Sequence, residues 1–107
     1  SVRDVVESAS FGIPDEIKGE AIVIFYTGKD DDSVRNNISR RVEEVLGKSF
    51  KPKYIFCIDA LPKTKNGKIM RRLLRSAFLN ISVGDTTGLD SGEVLEKVRE
   101  IGEKCRN

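Results

Sequence analysis

At 107 residues, 38% hydrophobic and 34% charged, the sequence has the composition of one small globular domain spanning 1–107, able to bury roughly two-thirds of its unfolded surface. It contains no histidine, which excludes Ser-His-Asp and Cys-His nucleophilic schemes, His-ligated metal sites and imidazole acid–base chemistry, so any catalysis must fall to lysine, arginine or carboxylates. No apolar run approaches the roughly 18 to 20 residues of a membrane span, and no basic-then-apolar leader opens the sequence, so a cytoplasmic protein with no membrane or metal partner is expected.

The first residues, 1–6, have no capping signal and no apolar period, and read as the tail of an element that begins upstream. Ala9, Phe11 and Ile13 then alternate with Ser8, Ser10 and Gly12, the period of a strand with one buried face. Pro14 and the flanking glycines predict a loop over 13–20, because proline cannot donate to a strand ladder. Ala21-Ile22-Val23-Ile24-Phe25-Tyr26 is apolar at every position and β-branched or aromatic at most, which predicts the central strand of a sheet covered on both faces.

An acidic stretch follows, in which Asp32 or Ser33 is expected to cap a helix over about 33–46. Val34, Ile38, Val42, Val45 and Leu46 form its apolar stripe and Gly47 its left-handed end. Arg40 and Arg41 beside Glu43 and Glu44 read as a solvated face of mixed charge. Gly47-Lys48-Ser49 looks like the end of a phosphate-binding P-loop, but the glycine required five residues earlier is Val42, so that motif is absent. Lys53-Tyr54-Ile55-Phe56-Cys57-Ile58 is a third strand.

Beyond it Asn66 is placed as an N-cap, with Lys68 at or near the N-terminus of a helix whose stripe is Ile69, Met70, Leu73, Leu74, Ala77 and Phe78, leaving Arg71, Arg72 and Arg75 on the outer side. A Gly/Thr/Asp loop over 82–91 leads to a last helix, introduced by an Asp90/Glu93 capping box, with Val94, Leu95, Val98, Ile101 and Cys105 facing inward. Cys57 and Cys105 read as structural thiols. The order is strand, strand, helix, strand, helix, helix: an α/β (α+β) fold with a small mixed sheet of about three strands packed with helices.

Charge singles out one stretch. Of the thirteen residues 63–75, six are basic and none acidic, whereas the rest of the sequence carries 13 basic against 17 acidic residues. Such a patch on an acidic body admits three readings: a solvated basic helix, phosphate contacts to a nucleic acid, or one compact phosphate held by a lysine at a glycine turn. No aromatic residues are interleaved with the charges, which argues against single-stranded nucleic acid.

The string Leu61-Pro62-Lys63-Thr64-Lys65-Asn66-Gly67-Lys68-Ile69-Met70-Arg71-Arg72 resembles the Pro-Lys-Thr-x-Ser-Gly-Lys-Ile-x-Arg-Arg motif near the C-terminus of adenylate-forming enzymes, which include acyl-CoA synthetases, luciferases and peptide-synthetase adenylation domains. Gly12-Ile13-Pro14-Asp15-Glu16-Ile17-Lys18-Gly19-Glu20 is similar to a Gly-x-Pro-Asp-x-x-x-Gly-Glu/Gln loop of the same C-terminal domain. The ending Gly84-Asp85-Thr86-Thr87-Gly88-Leu89 resembles the extended tail of acetyl- and propionyl-CoA synthetases, the former being the nearer likeness.

This resemblance implies a ligase that makes acetyl-CoA, AMP and pyrophosphate from acetate, ATP and CoA in two steps, with Mg. Lys68 matches the family's catalytic lysine, Gly67 gives its turn, and Asn66 stands where Ser is usual. The family's hinge motif is not found. Glu43 stands where several acetyl-CoA synthetases have a basic residue facing the CoA nucleotide, leaving Arg40 and Arg41 as candidate CoA phosphate contacts. The resemblance further implies an N-terminal adenylation domain as partner, no cofactor held by this domain alone, no turnover in isolation, and Lys68 as a candidate acetylation site. The competing class is a basic-helix module for nucleic acid or for a protein partner.

Overall fold

In a computed structural model, which describes residues 4–82 and 92–106, the first element is a strand, β1 (Val5–Asp15), whose alternation is the one expected: Ala9 and Ile13 are buried, Ser8 and Ser10 exposed. It pairs antiparallel with β2 (Gly19–Gly28). The predicted loop over 13–20 is shorter than expected, since Pro14 pairs opposite Glu20, Asp15 opposite Gly19, and only residues 16–18 form the turn. The physical reason is the position of β1 at the edge of the sheet, where one side of a strand has no neighbour and a missing donor is tolerated.

The uninterrupted apolar run becomes the middle strand, as predicted, with Val23, Ile24, Phe25 and Tyr26 all buried. After it comes α1 (Asp32–Leu46). Its cap is Asp31, one residue earlier than either expected candidate: the Asp31 carboxylate accepts from the Ser33 N–H at 2.7 Å. Asp30 and Asp32 both bond the Arg35 guanidinium, at 2.6 and 2.7 Å, and hold it charged well above the usual arginine range.

Val34, Ile38 and Val42 turn inward as predicted, but Val45 and Leu46 are 63% and 54% exposed. Leu46 borders an open groove with Ile17 and Phe50 instead of lying under a strand. Gly47 ends the helix at φ 102° and ψ 162°, a positive φ but not the left-handed helical conformation expected, and its N–H donates to the Glu43 carbonyl. A 3-10 turn, Lys48–Phe50, follows.

β3 (Tyr54–Cys57) then pairs parallel with β2, with α1 as the crossover that a parallel neighbour requires. One face of the sheet packs Ile24 and Tyr26 against Val34 and Ile38, with Ile22, Ile55 and Cys57 around them. On the other face the Phe25 ring lies 6.1 Å from Phe11 and 5.2 Å from Phe56.

Tyr26 is buried and its hydroxyl donates to the Lys29 carbonyl at 2.8 Å. Burial pushes the phenol above its ordinary value of about 10. Because the folded pKa is the higher one, the stabilisation from keeping this group neutral is complete below pH ~10 and is lost as pH rises through the folded value. Tyr26→Phe is therefore expected to cost about 1 kcal/mol at neutral pH. It should also reduce the loss of stability seen above pH ~10 in urea titrations.

Residues up to Asp59 form one compact unit and residues from Ala60 a second. The second holds a short hairpin, then α2 (Arg71–Phe78) and α3 (Gly92–Arg106), which pack on each other. Leu73, Leu74, Ala77 and Phe78 of α2 are buried, as are Leu95, Val98 and Gly102 of α3. Val94, Ile101 and Cys105 are half-buried on the same side of α3, in keeping with the predicted inner face. The predicted element order is the observed one. The tail string 84–89 and the Asp90 side of the capping box lie outside the described residues. Among the described residues no helix is long and apolar enough to cross a membrane.

Candidate functional site: a lysine at the end of a tight hairpin

Leu61 and Pro62 enter the second unit fully buried, and from this anchor the chain runs out into solvent and back. The Met70 N–H donates to the Pro62 carbonyl and the Thr64 N–H to the Lys68 carbonyl, each at 2.9 Å, while Lys63 bridges Ile69 between them. The turn at the tip closes with the Gly67 N–H donating to the Thr64 carbonyl at 2.9 Å, and Gly67 takes φ 85°, where a side chain would strain the backbone. Lys65, Asn66, Gly67 and Lys68 are exposed at the tip.

This geometry corrects the sequence expectation in two respects. Asn66 caps no helix, since α2 begins only at Arg71 and follows Met70, which makes no side-chain cap. Lys68 accordingly stands three residues before the first residue of α2 and not within its first turn. The competing principle is turn chemistry: an Asn-Gly pair favours a tight chain reversal at least as strongly as Asn favours a cap. The apolar stripe is also divided, because Ile69 and Met70 lie on the returning arm, half-buried, ahead of the helix.

Thr64 carries no expectation from sequence, and the Asn-Gly pair two residues on is the signal that marks it. Its hydroxyl oxygen accepts from the Lys68 N–H at 3.2 Å. Among the described residues that amide has no backbone acceptor, and the Thr64 carbonyl accepts instead from the Gly67 N–H.

Lys65, Lys68, Arg71 and Arg72 are exposed, and among the described residues none of them has a carboxylate partner. Arg75 is half-buried, not on the outer side as expected. Cations without carboxylate partners around a tight turn attract an anion, and the long aliphatic stem of Lys68 carries its ammonium away from the backbone. With no histidine in the sequence, an imidazole proton relay beside the lysine is excluded, and what the tip offers an anion is positive charge.

The other candidates lie in the first unit. Arg40 and Arg41 are both exposed on α1, Arg41 pairing with Glu44 at 3.4 Å, the mixed-charge face expected. They share no element with the lysine hairpin. Cys57 and Cys105 are half-buried and form no disulfide, and the Cys57 Sγ lies 3.6 Å from the Gly28 carbonyl. Among the described residues no group of His, Cys, Asp or Glu is arranged to hold a metal ion.

Comparison with known proteins places this hairpin in a context. The family model for the AMP-binding enzyme C-terminal domain matches residues 1–68, ending on the exposed lysine. An acetyl-coenzyme A synthetase of Chlorobaculum tepidum is 45% identical over 101 residues, covering 90% of the chain and 15% of the relative. One from Rhodopirellula baltica is 44% identical over 101 residues, covering 91% and 15%. Among solved structures, an acetoacetyl-CoA synthetase from Streptomyces lividans shares the fold with a TM-score of 0.74 at 17% identity, over 95% of the chain and 16% of that protein. The chain thus spans about 15% of the length of the curated relatives it matches.

Proposed function

The chain belongs to the AMP-binding enzyme C-terminal domain family, and from that membership we propose that it supplies the catalytic lysine of an AMP-forming short-chain acyl-CoA synthetase. The observation that carries this reading is Lys68 itself: an exposed ammonium, with no carboxylate partner among the described residues, at the tip of a hairpin rooted on buried Leu61 and Pro62. In the first half-reaction a carboxylate oxygen attacks the α-phosphate of ATP, giving an acyl-adenylate and releasing pyrophosphate. The CoA thiol then displaces AMP. Lys68 acts in the first step, placing a positive charge where negative charge accumulates between carboxylate and α-phosphate.

Acetate is the proposed acid, with propionate the alternative. Support comes from the curated relatives, because their similarity runs over 101 residues, past the end of the family model at residue 68, and their names are those of acetyl-CoA synthetases. The N-terminal adenylation domain would hold ATP with its Mg and shape the acyl pocket. Arg40 and Arg41 are proposed as contacts for the CoA phosphates, a role their exposure on α1 permits. The domain is proposed to swing between a pose that inserts Lys68 and one that presents another face for thioester formation. Proposed partners are therefore the adenylation domain, ATP, acetate and CoA, in the cytoplasm, with no nucleic acid.

The 107 residues alone are expected to release no pyrophosphate from ATP and acetate. Joined to the N-terminal part of an acetyl-CoA synthetase in place of that enzyme's own C-terminal domain, they should restore acetate-dependent release. Turnover by the isolated chain, or a fused protein that folds but stays inert, would sink the proposal.

A further inference from the structure

We infer that Thr64 is a positioning residue for Lys68, holding the lysine's backbone from both sides so that its ammonium starts from a fixed point. The inference rests on the reading of Lys68 as the lysine of adenylation. Its own ground is the hydrogen-bond pattern of the hairpin.

In a simple two-stranded reversal the residues flanking the turn exchange backbone bonds. Here only half of that exchange is made. The Thr64 N–H donates to the Lys68 carbonyl at 2.9 Å, but the Thr64 carbonyl accepts from Gly67 at 2.9 Å, because the positive φ of Gly67 turns the glycine N–H inward. The Lys68 N–H is left over, and the Thr64 hydroxyl takes it at 3.2 Å. One residue therefore fixes both the carbonyl and the amide of Lys68. Thr64 is itself half-buried two residues beyond fully buried Pro62, so the restraint is tied to the core of its unit and not to the exposed tip.

The functional consequence follows from the length of the lysine side chain. Four methylenes amplify any rotation of the Cα–Cβ direction, and a misplacement of about 1 Å at a reacting centre costs up to about a hundredfold in rate. A hydroxyl is required at position 64 for this role. Valine keeps the β-branched shape and the strand preference of threonine but cannot accept a hydrogen bond, so it separates the restraint from the packing.

The test is made in the full-length enzyme that carries this chain, with pyrophosphate exchange for adenylation and AMP release from supplied acetyl-adenylate plus CoA for thioester formation. Thr64→Val is expected to lower kcat for adenylation about five- to tenfold, the order of one lost hydrogen bond. Its KM for acetate and ATP should move little, thioester formation should stay within twofold, and the melting temperature should be unchanged. Thr64→Ser, which restores the acceptor, should recover adenylation to within twofold. Hydrogen exchange adds a readout independent of turnover: the Lys68 amide should exchange faster in Thr64→Val and normally in Thr64→Ser.

Adenylation by Thr64→Val within twofold of the unaltered protein, beside a Lys68→Ala that abolishes it, would overturn the positioning role alone. Equal loss of both half-reactions with a lowered melting temperature would overturn it too, leaving Thr64 merely structural. Full adenylation by Lys68→Ala would instead refute the reading of Lys68 on which the inference stands.

Discussion

Lys68→Ala in the full-length enzyme should slow acyl-adenylate formation by about two to three orders of magnitude, roughly 3 to 4 kcal/mol of transition-state stabilisation. It should leave conversion of supplied acetyl-adenylate to acetyl-CoA close to unaltered. Both halves of this expectation follow from the hairpin. The Lys68 side chain is exposed and has no carboxylate partner among the described residues, so removing it breaks no ion pair and creates no cavity. The turn bonds at Thr64 and Gly67 are made by backbone groups and by the Thr64 hydroxyl, all of which alanine at 68 retains. A fall in rate without a fall in melting temperature is accordingly the signature of lost charge at the reacting phosphate.

The second half-reaction should be spared if the domain presents a different face for it, as the proposed two-pose cycle requires. Lys68→Arg is a useful companion: it keeps the charge but spreads it over a planar fork on a longer arm, and should recover only part of the rate. Equal loss of both half-reactions in Lys68→Ala would contradict the assignment.

How far the sequence foretells these features depends on the range of the interaction that decides each one. β2 is legible because six consecutive apolar residues have no lower-energy place than the middle of a sheet. The inner faces of α1 and α3 are legible from periodicity, with Val34, Ile38, Leu95 and Val98 all buried. Periodicity tells which side of a helix is apolar, but not how far the sheet extends beneath it, and Val45 and Leu46 are exposed for that reason.

At Pro14 the local rule against proline in a ladder gives way to topology, since only the strand order reveals that β1 is an edge. Around Lys68 two local signals compete. Asn66 is both a favoured cap and half of a favoured turn dipeptide, and the hydrogen bonds of Thr64, four residues from the lysine, settle the contest for the turn. The family motif marks Lys68 without revealing this, because a motif records residue types and not the backbone geometry that presents them.

Gly102 is the position where sequence rules point the wrong way, and its substitution is expected to have the largest effect on stability. Glycine inside a helix is worse than alanine by about 1 kcal/mol, so Gly102→Ala in the interior of α3 would ordinarily stabilise. Here a Cβ on Gly102 would stand 2.0 Å from the Phe78 carbonyl oxygen and 2.8 Å from its carbon, both backbone atoms that no rotamer change can move. Phe78 closes α2, and its carbonyl accepts from the Arg106 guanidinium at 2.6 Å.

Forcing the helices apart should cost about 3 kcal/mol against the 1 gained, a net loss of about 2 kcal/mol. That corresponds to a melting temperature lower by roughly 10 °C. Arg106→Gln removes only the charged donor and should cost about 1 to 2 kcal/mol. Since both changes act through the same carbonyl, the double variant should lose less than the sum of the two. A higher melting temperature for Gly102→Ala would overturn the claim that contact with the Phe78 carbonyl is what requires glycine at this position.

The same variant separates the frame from the chemistry. The hairpin takes its anchor from Leu61 and Pro62, and its closing bonds run between Pro62 and Met70 and between Thr64 and Lys68, none of them to α3. Well below its lowered melting temperature, Gly102→Ala should therefore adenylate within about twofold of the unaltered enzyme, the opposite of what Lys68→Ala does.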